Sequence, residues 1–262
     1  MAKPIFSGHE TFSCKLHWLK RGYEFVVKKY NFNDEEAVVH LGVGKNMVAS
    51  IKYYMKAFGL LNQDGDLEDI ARKLFNSENG FDPFLEDIGS LYLLHFLIVN
   101  TGHATAYKTT FIDYHSQRNI IDKNKLQNFI KHVCFDNEGY QNIYNENTVK
   151  KDINVLIHNY YNKSISNIED SNTIFAQLNL IRETEDGTFV FNYENKTNVP
   201  PKIFLLIVLL HLNLDLLFLY LHCSIYKQYL HIVLLRFFLL LQVVLFLFLR
   251  LLVSIVVLLF FV

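Results

Sequence analysis

Apolar positions recur along most of the chain with the period of a helix, in short blocks broken by glycine, proline and acidic or amide clusters. Behind a short N-terminal motif, Leu16, Leu19, Tyr23, Val26 and Val27 predict an aromatic helix within residues 5–30. Asn33-Asp34-Glu35-Glu36 reads as a helix start, a capping residue followed by acids that suit the positive N-terminal end. That helix, about Asp34–Leu41, stops at Gly42-Val43-Gly44, and a second begins near Lys45. In the second, Met47, Ile51, Tyr54, Met55, Phe58 and Leu61 cover one face. Lys45, Ala49, Lys52 and Lys56 cover the opposite one. Gly59 and Asn62-Gln63-Asp64-Gly65 end it in a turn. Leu67–Phe75 predicts another short helix, Asp82-Pro83 a break, and the almost wholly apolar Ile88–Val99 a buried helix.

Lys125–Val133 predicts an amphipathic helix. Asn147-Thr148 reads as the cap of a further one, with Val149, Ile153, Leu156, Ile157 and Tyr160 inward and Asn147, Lys151, Asn154 and His158 outward. This apolar spacing repeats that of Met47–Phe58 at a shift of 102 residues, which points to a duplicated motif. Leu178–Arg182 and Thr188–Tyr193, joined at Glu185-Asp186-Gly187, read as a β-hairpin. The predicted fold is mainly α, with two winged-helix or helix-turn-helix-like units, residues 1–120 and 121–202, and short β-hairpins.

After Pro200-Pro201 the pattern changes. Residues 203–262 hold 23 Leu, 8 Phe, 8 Val and 5 Ile, and four charges: Asp215, Lys227, Arg236 and Arg250. Ile203–Leu221 and Leu230–Leu249 have the length of membrane spans. Yet the tail has no Gly, Ala or Thr, the small residues that spans use for helix contact. Phe, Leu, Ile and Val all have U as the middle codon base, and Tyr, His, Asn, Gln, Asp and Lys have A. Together they fill 55 of the 60 tail positions. A frame shift in an AT-rich gene moves its A/U-rich third position to the middle. The leading expectation is therefore a frame-shifted C-terminus after about Phe204, and the alternative a membrane segment within residues 203–249.

Composition separates along the same line. The chain averages 51% hydrophobic and a net charge of −1. Residues 1–202 alone hold 22 Lys+Arg and 25 Asp+Glu, an ordinary, slightly acidic body. Three widely spaced cysteines, Cys14, Cys134 and Cys223, form no disulfide framework. The N-terminus lacks a basic region followed by an apolar run, so no secretory signal is read and a cytoplasmic location is expected. Gly42-Val43-Gly44-Lys45 fails as a Walker A loop, with Val39 and Asn46 where Gly and Ser or Thr are required. It fails as a dinucleotide fingerprint at Met47. His9, Glu10, Cys14 and His17 are metal-capable but match no zinc spacing, and Ser7 and Glu10 read more simply as a capping box. His95, His103 and His115 read as hydrogen-bonded core histidines. No nucleophile–base set stands out, so no cofactor, no metal and no catalytic activity are expected.

A short helix, a Gly-containing turn and an amphipathic helix with a polar outer face make the helix-turn-helix pattern, and a following hairpin would be a wing. The second helix offers free N–H groups and its positive dipole end to a phosphate. Lys45, Asn46, Ser50, Lys52 and Lys56 are the expected contacts to phosphates or base edges of duplex DNA, with Lys150, Lys151 and Asn154 as a second set. The alternative is a helical bundle whose lysines face water, or whose helices dock a partner protein.

Several blocks resemble a bacterial family catalogued as the domain of unknown function numbered 4007. They are Phe6-Ser7-Gly8-His9-Glu10-Thr11-Phe12, Trp18-Leu19-Lys20-Arg21-Gly22-Tyr23 and Leu41-Gly42-Val43-Gly44-Lys45-Asn46-Met47-Val48. Phe81-Asp82-Pro83-Phe84-Leu85-Glu86-Asp87, Leu91-Tyr92-Leu93-Leu94-His95 and Val199-Pro200-Pro201-Lys202-Ile203-Phe204 are also similar to it, so the resemblance spans roughly residues 5–204. It implies winged-helix-type proteins whose genes lie near DNA sulfur-modification or phage-defence genes. It therefore implies a DNA-binding or regulatory role; the alternatives are a protein-interaction subunit of such a system, or a membrane-anchored regulator if the tail is genuine. It marks Gly8, His9, Glu10, Thr11, Phe12, Gly42 and Gly44 as motif residues.

Overall fold

The computed structural model describes residues 4–136, 141–161 and 173–192, with 199–201, 203, 206, 207 and 210. Residues 1–194 form one compact unit and 195–262 a second. Apart from those few positions, the tail lies outside the described residues, and with it the frame-shift and membrane readings. Among the described residues, no helix is long and apolar enough to cross a membrane.

The first half of the compact unit is helical: α1 (Leu16–Val27), α2 (Ala37–Leu41), α3 (Lys45–Ala57), α4 (Asp69–Phe75) and α5 (Ile88–Asn100). α2 begins three residues later than predicted. Asn33 does not cap it, because its Oδ1 accepts a hydrogen bond from Lys52 Nζ at 2.7 Å. Gly42 ends α2 in the left-handed conformation, φ +63°, which favours a residue without Cβ. Of the predicted stripe, Ile51, Tyr54 and Met55 of α3 and Phe58 just after it are buried, whereas Met47 is only half-buried and the neighbouring Val48 is buried instead. Leu61 and Leu67 pair across the following turn. α5 is apolar on nearly all sides and buried from Gly89 to Phe96, as a central helix requires. Asp87 caps it by accepting from the Gly89 N–H.

The second half runs α6 (Thr105–Lys108), a π-helical segment (Thr109–Tyr114), β1 (Ile120–Ile121), α7 (Lys123–Phe135), α8 (Glu146–Tyr160), β2 (Ile181–Glu183) and β3 (Phe189–Phe191). The hairpin β2–β3 forms where predicted, and β1 adds to it to give an antiparallel sheet of order β1-β3-β2. β1 has two residues, too few for an alternating pattern. The cap of α8 is Asn145 rather than Asn147: the Asn145 Oδ1 accepts from the Thr148 N–H at 3.0 Å. The halves expected on either side of residue 120 share contacts, since α5 packs on α6 and α6 on α8. Phe58, Phe111, Tyr160 and Phe175 are fully buried where they meet, with His95 Nδ1 2.7 Å from the Tyr160 hydroxyl.

Candidate nucleic-acid interface

The N-terminal motif is not a capped helix start. It is an irregular strap between α3 and α8, and its bonds decide which way both helices face. Ser7, Gly8, Glu10 and Thr11 all have positive φ, so the chain turns too sharply for a capping box. At Gly8, φ +99°, an added Cβ would lie 2.6 Å from the Tyr53 ring. The Ser7 N–H donates to both carboxylate oxygens of Asp152 at 3.1 Å. His9 Nδ1 accepts from the Thr11 N–H at 3.1 Å, which leaves Nε2 to donate to Asp152 Oδ1 at 2.8 Å. From the other side, Ser50 Oγ donates to the His9 carbonyl and the Tyr54 hydroxyl to the Phe12 carbonyl, both at 2.8 Å. The Cys14 N–H donates to Asn159 Oδ1, and Asn159 Nδ2 donates to the Tyr54 and Tyr107 hydroxyls.

These bonds correct one expected contact. Ser50 is fully buried, its hydroxyl held by His9 and by the Asn46 carbonyl, so it reaches no ligand. Lys45 and Asn46 are exposed at the N-terminus of α3, where Gly44 offers no side-chain cap. Lys52 and Lys56 point outward but are tied back, to Asn33 Oδ1 and to the Gln63 carbonyl. On α8, Lys150 and Lys151 are exposed and Asn154 accepts from Lys123 Nζ at 2.9 Å. Lys123 and Lys125, exposed at the start of α7, add cations that were not singled out from the sequence. The hairpin tip is acidic, with Glu185 and Asp186 exposed, and so is the turn after α3, with Asp64 and Asp66.

The four metal-capable residues near the N-terminus diverge. His9 is committed to Asp152, Glu10 and His17 are exposed, and Cys14 is buried with its thiol pushed well above the usual range. Gly42 and Gly44 frame the α2–α3 turn, and Glu10 and Thr11 are exposed on the strap, as is Ser7. Sequence reasoning missed Asp152 and Asn159. Their signal is a polar residue on the apolar side of α8, at the position equivalent to Ser50 in the case of Asp152.

The chain belongs to the family described as "Protein of unknown function (DUF4007)", whose profile matches residues 6–215. No curated protein matches it. Two solved structures are similar. One, described as the SspB crystal structure, has a TM-score of 0.65 at 24% identity. The other, described as magnesium ion-bound SspB, has a TM-score of 0.66 at 26% identity. Each match covers 76% of this chain and 63% of the other, so the chain spans less than two thirds of those relatives.

Proposed function

With family membership as the premise, we propose that this chain binds duplex DNA through the outward faces of α8 and α3, in the service of a bacterial DNA-modification or defence system. The observation that carries the reading is the pair of exposed lysines, Lys150 and Lys151, on the last helix of a winged-helix-like arrangement. Helical segment, β1, α7, α8, β2 and β3 follow one another with the sheet order β1-β3-β2. In such an arrangement the helix before the hairpin is the one that enters the major groove. The acidic hairpin tip would be repelled by phosphates, so contact falls to the helix and to Lys123 and Lys125 at its side. One similar structure is described as magnesium-bound. Among the described residues here, no three His, Cys, Asp or Glu side chains gather to hold a metal ion, so the proposal contains none.

The test is binding to a labelled duplex across a salt series. Each lysine that contacts a phosphate contributes about 0.9 to the slope of log affinity against log salt. Lys150→Ala with Lys151→Ala is expected to weaken binding about tenfold at low salt and to reduce that slope by about 1–2. Absence of binding at low salt would defeat the reading. So would affinity unchanged both in that variant and in Lys45→Ala with Lys52→Ala. A second reading, an interaction subunit, is favoured by Phe81 and Phe84, 75% and 69% exposed in one loop. Stable association with a purified partner protein that Phe81→Ser abolishes would support it.

A further inference from the structure

The two lysine-bearing helix faces lie on opposite sides of the strap. Ser50 of α3 and Asp152 of α8 both turn inward to the same residue, His9. Tyr54 and Asn159 meet directly at 3.3 Å, so the inner sides of the two helices face each other. At about 100° per residue, Lys45, Lys52 and Lys56 lie roughly 120–160° round α3 from Ser50. Asn147, Asn154 and His158 lie at the same angles round α8 from Asp152, because each is 102 residues further on. Lys150 and Lys151 flank them. The duplicated motif is thus arranged back to back. A straight duplex laid against α8 leaves the face of α3 pointing away from it.

We propose that one chain holds two duplex segments at once, one on α8 and one on α3. This rests on the DNA-binding reading and adds to it the number and placement of the sites. Charge complementarity selects the second occupant. α3 carries three lysines and no acid along its 13 residues. The only exposed acid of α8 is Glu146, its first residue. The turn that follows α3 is acidic, with Asp64 and Asp66 exposed, and so is the tip of the hairpin that follows α8, with Glu185 and Asp186 exposed. Such turns confine a polyanion to the helix and disfavour an acidic protein no less than they disfavour DNA at the rim. Lysines on both outward faces, Lys45, Lys52 and Lys56 on α3 and Lys150 and Lys151 on α8, fit a polyanion on each side.

The experiment mixes donor-labelled and acceptor-labelled short duplexes with the full chain at low salt and reads energy transfer between them. Sedimentation counts proteins and duplexes per complex, and unfolding midpoints confirm that the variants fold. One chain with two duplexes and clear transfer is expected. Lys45→Ala with Lys52→Ala and Lys56→Ala should lose the transfer and leave one duplex bound, on α8; Lys150→Ala with Lys151→Ala should also lose it and leave one duplex bound about tenfold more weakly, on α3. A mixture of the two variants should stay without transfer. Single-duplex complexes without transfer in the unaltered chain would overturn the proposal and leave the DNA-binding reading standing. Transfer restored by mixing the variants, or kept in either of them, would overturn it in favour of bridging by dimers or by other surfaces. Failure to bind any duplex would overturn both readings.

Discussion

At the scale of single residues, burial decides chemistry more than residue type does. His115 follows the π-helical segment and sits edge-on to Phe191, ring centres 4.2 Å apart. Desolvation pulls its pKa down to about 4. An unfolded histidine titrates near 6.5. Between these values the unfolded chain takes up a proton that the folded chain refuses. Stability is therefore unaffected by this group above pH 6.5, falls as pH drops from 6.5 to 4, and levels off below. Urea unfolding at pH 7 and pH 5 checks this: the stability lost between the two is expected to be smaller in His115→Gln than in the unaltered chain. An equal loss would show that carboxylates alone carry the acid sensitivity. Ser50 teaches the same lesson about legibility. Its place between the exposed Ala49 and the buried Ile51 sets it at the edge of the stripe, and periodicity reads that edge either way. What buries it is the His9 carbonyl, 41 residues earlier in the chain.

At the scale of elements, helices with strong periodicity were legible in their sequence. α1, α3, α5, α7 and α8 all form where apolar spacing places them, and the hairpin forms around its Asp-Gly turn. Boundaries were legible only where the capping side chain had no competitor. Asn33 is taken by Lys52, and Asn145 caps α8 two residues ahead of the predicted site. The strap was legible only as a motif, because it has no period and its partners lie up to 145 residues away. Its stability depends on Asp152, which takes the Ser7 N–H and His9 Nε2 in a buried site. Asp152→Ala leaves both donors without that acceptor, and the expected loss is about 3 kcal/mol. That is a large part of the roughly 5–15 kcal/mol that holds a domain together. Lys151→Ala, one residue away but exposed, is expected to change stability by less than about 0.5 kcal/mol. Equal urea midpoints for the two variants would show that the strap does not clamp the halves.

At the scale of the molecule, the compact unit and the tail obey different rules. Residues 1–194 hold one core to which α5, α6, α8 and Phe175 all contribute. Nearly every large apolar side chain buried among the described residues lies within this unit, and Ile207 lies beyond it. The family profile ends at residue 215, so 47 of the 60 Leu- and Phe-rich residues lie outside it. A core held within one compact unit, residues 1–194, predicts that residues 1–202 fold alone. Circular dichroism should show a helical protein with a single cooperative unfolding transition, because a unit of this size buries enough apolar surface to support one. Its affinity for duplex DNA should equal that of the full chain within about threefold, since every proposed contact lies before residue 155. Sequencing of the gene addresses the tail itself: a frame change downstream of Phe204 accounts for its codon pattern, whereas an intact frame together with recovery of the full chain in membranes makes the tail an anchor. A fragment of residues 1–202 that fails to fold would place part of the core in the segment beyond it.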